Sequence, residues 1–416
     1  MQKKRRRANP WRVIALLLII GALIYFNQMV VPTMPALFEP TPTATRAPES
    51  IITEAQQLEA EGKYTMAILA YNNAVVADPR NPTNFIALAR LNIYTGNYAD
   101  AITNAENALL LNPNNYDAMS LRGWAIGLSG DYLRAEGILN DAIALKSNDA
   151  AAYGYLAEIY TYMLQEGQGD LNTLDKAVAA SRTAVELDPN SLASHRGRGF
   201  VLEYTANFEE AVSEFEAAVA INPNIADLHL ALGRNYFNIQ EYDKAITEFG
   251  KANALNPKDY TPEALIARTY AMNGDYQKAI QYAEAAIADA PTRASLYGNL
   301  GTIYYRNGQY LDAIDVLRIA IRGGVTSDGQ TVEGLAMDYG TIAQYYYTYG
   351  LALAKQGQCG EALQLSQAIQ VGLRNDDIAV YNALEMVNIC ERLAKEGKSD
   401  VTATVPAVSI TATATP

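Results

Sequence analysis

The chain has 416 residues, half of them hydrophobic, with 32 basic against 45 acidic side chains and a net charge of −13. Seven of the basic residues (Lys3, Lys4, Arg5, Arg6, Arg7, Arg12 and Arg46) precede Ser50, which leaves 25 basic against 43 acidic residues for the rest. A body this acidic repels nucleic acid, whose binding rests on neutralised phosphates, and no nucleic-acid partner is expected.

Met1–Arg12 is a basic cap, and Val13–Phe26 (VIALLLIIGALIYF) is an uncharged apolar run. Extended to Val31 the run reaches 19 residues, near the roughly 20 that cross a bilayer. No small-x-small cleavage site and no cysteine follow it. Residues 1–31 are therefore expected to form an uncleaved signal anchor, with a cleaved signal peptide as the alternative. Six basic residues precede the span, which places the amino terminus in the cytoplasm and the repeats outside it, in a single-pass protein of the cell membrane. Residues 32–48 form a Pro/Thr linker, extended and semi-rigid because proline fixes φ and removes donors. The Thr-rich residues 398–416 are expected to be a disordered tail.

Between linker and tail the sequence repeats. A shift of 34 residues lays Gly233 on Ala267, Tyr236 on Tyr270, Tyr242 on Tyr276, Ala245 on Ala279 and Pro257 on Pro291. Small residues recur at Ala67, Ala101, Ala135, Ala177, Ala211, Ala245, Ala279, Ala313 and Ala362. Such columns suit helices that approach closely where they cross, with larger residues filling the hollows beside them. Prolines such as Pro79, Pro113 and Pro189 end units, and Gly62, Gly96, Gly130, Gly274, Gly308 and Gly357 suit the left-handed residue of a tight turn. The period predicts an all-α array of helix–turn–helix units.

These columns resemble the tetratricopeptide repeat family, from Ile51 to about Glu396. The resemblance implies a right-handed superhelical solenoid of paired antiparallel helices, following one transmembrane helix, in a bacterial membrane-anchored protein. Nine units are expected over residues 49–376, with insertions near 161–174 and 323–342 read as surface loops. Residues 377–397 form a helix that caps the stack. The two cysteines, Cys359 and Cys390, lie symmetrically about the turn near residue 374. They are expected to pair in a disulfide outside the cytoplasm.

No Gly-rich phosphate loop, HExxH or clustered Cys/His spacing is present, so no catalytic residue, metal or cofactor is expected. His195 and His229 stand 34 residues apart in one column, which argues for packing. Glu158 and neighbouring carboxylates are read as solvated faces. The family turns its first helices toward a concave groove that takes up peptides. On that side lie Tyr94, Trp124, Tyr155, Tyr162, Phe200, Tyr204, Phe237, Tyr305 and Tyr347, interleaved with Arg90, Arg196, Arg234, Arg268 and Arg306. Arginine and aromatic residues are enriched in binding hot spots. With Arg234 and Arg268 side by side, they suggest a track for a protein or peptide with acidic and apolar side chains. The expected role is an extracytoplasmic scaffold for protein–protein interaction, not an enzyme. The alternatives are a spacer or assembly subunit of the cell envelope and, less favoured, an enzyme subunit.

Overall fold

The computed structural model describes residues 9–30, 47–326 and 328–400. The basic cap before Asn9, the linker from residue 31 to 46 and the tail after Asp400 lie outside them. Contacts divide the chain into two units, residues 1–51 and 52–416. In the first, the Asn9 side chain accepts a hydrogen bond from the Trp11 N–H, and Pro10 fits the first turn, where its missing donor costs nothing. These start α1 (Pro10–Tyr25), which a π-helical turn continues through Phe26–Val30. Pro10–Met29, 20 residues, is long and apolar enough to cross a membrane. A signal sequence and a membrane anchor share that length and composition.

The second unit is an all-α array of helix pairs. The pairs are α2 (Pro48–Ala60) with α3 (Tyr64–Ala77), α4 (Pro82–Tyr94) with α5 (Tyr98–Leu111), and α6 (Tyr116–Leu128) with α7 (Tyr132–Leu145). Next come α8 (Ala150–Gln165) with α9 (Thr173–Leu187), α10 (Leu192–Tyr204) with α11 (Phe208–Ile221), and α12 (Ala226–Asn238) with α13 (Tyr242–Leu255). Then follow α14 (Thr261–Met272) with α15 (Tyr276–Asp289), α16 (Ala294–Arg306) with α17 (Tyr310–Arg322), and α18 (Thr341–Lys355) with α19 (Cys359–Gly372). The last helix is α20 (Asp377–Lys395), packed on both α18 and α19.

One contact recurs inside the pairs. A methyl group built on Gly123, Gly199, Gly233 or Gly301 would lie 2.8 Å or less from the side chain of Leu139, Phe215, Phe249 or Leu317, respectively. In each case the large residue follows the glycine by sixteen positions. The glycine is the eighth residue of its helix, and the eighth residues of α4 and α8 are the buried Ala89 and Ala157. In α20 that place holds Leu384, 48% exposed, with Ile378 and Tyr381 also open to solvent. The turns inside the units use the left-handed region at Gly62, Gly96, Gly130, Gly274, Gly308 and Gly357. The fifth and sixth units lack that glycine and put Ala206 (φ 59°) and Gln240 (φ 64°) there instead, where a Cβ is crowded.

The first insertion lengthens α8 to 16 residues, against 13 in α6, α10 and α12, and puts the rest into an exposed connection, residues 166–172, before α9. The second holds a minimal hairpin, β1 (Gly324–Val325) with β2 (Thr331–Val332), antiparallel with Gly324 opposite Val332. Beyond it the chain is tied down, because Leu335 donates its N–H to Ala320 O at 2.9 Å and accepts from the Tyr346 hydroxyl at 2.6 Å. The array also coils back on itself. Tyr64 Oη donates to Asn222 Oδ1 at 2.7 Å across 158 residues, and Gly62 has no room for a Cβ beside Asn224.

At the carboxyl end Cys359 and Cys390 form a disulfide with Cα atoms 5.5 Å apart, both side chains buried. Asp400 returns to the start of α19, where its carboxylate accepts from the Gly360 N–H at 3.0 Å. An acidic group at a helix amino terminus meets unpaired donors and the positive end of the dipole. The bridge closes a separation of 31 residues, a constraint worth about 3–4 kcal/mol on the unfolded chain by loop-closure entropy. The unreduced, denatured chain is expected to show no reactive thiol. Cys390→Ser is expected to lower the protection of α19 and α20 in hydrogen exchange by about that energy, while the units before α18 keep theirs.

Candidate functional site

The middle of the array holds a charged cluster that excludes water. Glu158 on α8 is fully buried. Its carboxylate accepts from Arg196 Nε at 2.7 Å, from Arg196 Nη2 at 2.6 Å and from Trp124 Nε1 at 2.9 Å. Arg196 on α10 is 2% exposed and also donates to Asp227 on α12. Its guanidinium lies 5.1 Å from both the Trp124 and Phe200 rings. Trp124 in turn stacks on Tyr155 with centroids 4.1 Å apart and planes within 5°. A buried guanidinium–carboxylate fork is tolerable because Arg196 and Glu158 meet through two short hydrogen bonds.

This corrects the sequence reading at five positions. Trp124, Tyr155, Arg196 and Phe200 are core residues, and Glu158 lies inside the array, not on a solvated face. The reason is physical: the array coils tightly enough that side chains of α6, α8, α10 and α12 meet one another. Two more arginines are engaged within the chain. Arg90 donates to Glu59 at 2.7 Å, and Arg234 holds Glu203 through Nε at 2.8 Å and Nη2 at 3.1 Å. Around them stand Tyr94, whose ring is 6.3 Å from Trp124, and Tyr162, 5.5 Å from Phe200. Burial pushes the Tyr94 hydroxyl up to about 12. Tyr204 is part-exposed at the end of α10.

The remaining arginines differ. Arg268 and Arg306 are exposed, and neither has a carboxylate partner among the described residues. The Arg268 guanidinium lies over the Phe237 ring at 4.9 Å, and Arg306 Nη1 meets the Met272 sulfur at 3.8 Å. Both line a cleft of about 480 Å³ between α14, α16 and α18. Its lining includes Tyr260, Ala264, Asn299, Thr302, Gln344 and the buried Tyr345, with the buried Ala267, Ala283 and Ala286 as its floor. Tyr345 crosses Gly298 and donates to Asn299 Oδ1 at 2.6 Å, which fixes one wall. Tyr305 packs on Tyr310, 5.4 Å between centroids, and Tyr347 stands half-buried against the last units. Asn299, Gln344 and Tyr345 were not singled out from the sequence.

The two histidines pack between helices of their own units. His195 Nδ1 lies 2.7 Å from Glu214, and His229 Nδ1 lies 2.6 Å from Glu248. His229 Nε2 also reaches Pro223 O at 2.9 Å, and Lys251 Nζ meets Glu248 at 2.7 Å. No group of three or more His, Cys, Asp or Glu side chains among the described residues is placed to hold a metal.

Arg196→Met leaves the buried Glu158 charge without its counter-ion, with the Trp124 donor remaining, and is expected to cost about 3–5 kcal/mol in urea unfolding. Adding Glu158→Leu should recover most of the loss. Burial opposes the charge on Glu248, but hydrogen bonds from His229 and Lys251, with the Lys251 charge, outweigh it and hold the carboxyl below its ordinary 4.5. The stability from its ionised form is therefore present above 4.5 and lost as pH falls through the lower folded value. Glu248→Gln is expected to lower the melting temperature at pH 7, with the difference from the unaltered chain shrinking below pH 4.

The tetratricopeptide repeat family matches residues 86–150 and 265–325, and a second tetratricopeptide repeat profile matches 206–268. The chain is similar to the tetratricopeptide repeat and J domain-containing co-chaperone DNJ1 of Cryptococcus neoformans var. grubii, 28% identical over 146 residues. That match covers 34% of this chain and 28% of the relative. Among solved structures it is similar to a tetratricopeptide repeat protein from Parabacteroides merdae, with 17% identity and a TM-score of 0.44 over 66% of this chain and 98% of that one. It is also similar to PilW, described as a type IV pilus biogenesis factor, with 20% identity and a TM-score of 0.43 over 49% of this chain and 90% of that one. Repeats of this family serve as scaffolds for protein–protein interaction and are typically not enzymes. With helix pairs in register and family profiles falling on them, residues 86–150 and 206–325 are tetratricopeptide repeats.

Proposed function

We propose that this chain is a membrane-anchored, extracytoplasmic scaffold whose last units hold a partner segment with acidic and apolar side chains. The observation that carries this reading is the cleft between α14, α16 and α18, where Arg268 and Arg306 stand exposed without a carboxylate partner among the described residues. An arginine fork is matched to carboxylates, and each charge-assisted contact is worth about 1.5–3 kcal/mol. The anchored, outward-facing arrangement is supported by the apolar helix Pro10–Met29 and by the six basic residues from Lys3 to Arg12. The filled interior of the middle units favours a second reading, in which the array is an envelope spacer. The spacer needs no ligand, and the open cleft argues against it.

The test uses membrane vesicles that carry the full chain, prepared right-side-out and inside-out, and a fluorescent peptide rich in Glu, Leu and Phe. Binding is expected to right-side-out vesicles only. Arg268→Glu with Arg306→Glu should weaken it at least about a hundredfold, or about 2.7 kcal/mol. Binding to inside-out vesicles alone would refute the orientation, and binding indifferent to the two reversals would favour the spacer.

A further inference from the structure

We infer that the alanine-floored part of the cleft is a specificity pocket for one bulky apolar side chain standing beside a carboxylate on the same partner segment. The inference rests on the peptide-holding reading above and names what that site selects. Its cause is visible in the repeat columns. Arg196 and Phe200 fill the interior of the fifth unit. Two periods of 34 residues on, their places are taken by Ala264 and Arg268, and three periods on by Gly298 and Thr302. Tyr345 fills the place over Gly298, and the small Ala264 and Thr302 leave open beside it volume that large residues occupy earlier. The result is a cavity of about 480 Å³ that reaches past α14 and α16 to Ala283 and Ala286 on α15.

The chemistry divides by depth. The floor of methyl groups offers no donor or acceptor to a polar group, so burying one there is unfavourable. A bulky apolar side chain gains by leaving water, and a preformed pocket of several hundred Å³ with a few polar groups at its mouth is the ordinary form of a ligand site. The charges stand at the rim. Arg268 is steadied by the Phe237 ring and Arg306 meets the Met272 sulfur, and neither is paired with a carboxylate among the described residues. An occupant that satisfies both regions carries an apolar group and a carboxylate within a residue or two of each other. A free inorganic anion would engage the rim and leave the floor unfilled.

The experiment uses the full chain in detergent and twelve-residue fluorescent peptides of one acidic framework, differing only in a central Phe or Ala. Fluorescence anisotropy is expected to show the Phe peptide binding about tenfold tighter, the factor that burying such a side chain supplies. Ala264→Leu fills the pocket from α14 and should reduce that Phe-to-Ala ratio to about one. Thr302→Phe fills it from α16 and should do the same if the first variant misfolds by circular dichroism. Inorganic phosphate should compete equally against both peptides. If the peptides bind equally to the unaltered chain while Arg268→Glu still weakens both, the pocket inference fails and the cleft reading stands. If neither peptide binds, or Arg268→Glu changes nothing, both fail together.

Discussion

A large side chain seated on a bare backbone sets the spacing of this molecule. In the third, fifth, sixth and eighth units a glycine in the first helix receives a Leu or Phe from the second, at a distance that excludes even a methyl group. Close packing of this kind has no slack, since a side chain forced into it shifts the helices. Because the same contact recurs at the same interval, the two helices of these units keep one separation and their other columns stay in register. The positions that escape this requirement are those facing the interior of the coil, and there the units diverge.

That divergence gives the array two interiors. In the middle, Trp124, Tyr155, Arg196 and Phe200 pack buried around Glu158. Toward the carboxyl end the same columns hold Ala264, Gly298 and Thr302, and a cleft opens under two exposed guanidinium groups. The arginines of the middle units are neutralised by Glu59, Glu158 and Glu203, so they add cohesion and little field. The long-range potential is left to the acidic body, and local attraction to Arg268 and Arg306.

The sequence already carried the period, the turn glycines and the unusual 34-residue spacing of His195 and His229, because each depends on contacts within a unit or with its neighbour. Each histidine also meets a glutamate nineteen residues later, an interval readable in the sequence but easily passed over. The direction faced by arginine and aromatic residues was not legible. Those types serve equally in hot spots and in buried forks, and the choice depends on how tightly the array coils. That curvature is expressed in contacts such as Tyr64 with Asn222, which no local pattern records. The lengthened α8 was also hidden, because an insertion that continues a helix looks in sequence like one that interrupts it.

Leu384 has a bearing on how such a chain changes in length over generations. A second helix added after α20 to complete a further unit would meet a leucine where every well-packed unit offers glycine or alanine. Duplication at the carboxyl end is therefore sterically penalised, and the staple from Cys359 to Cys390 closes the same end covalently.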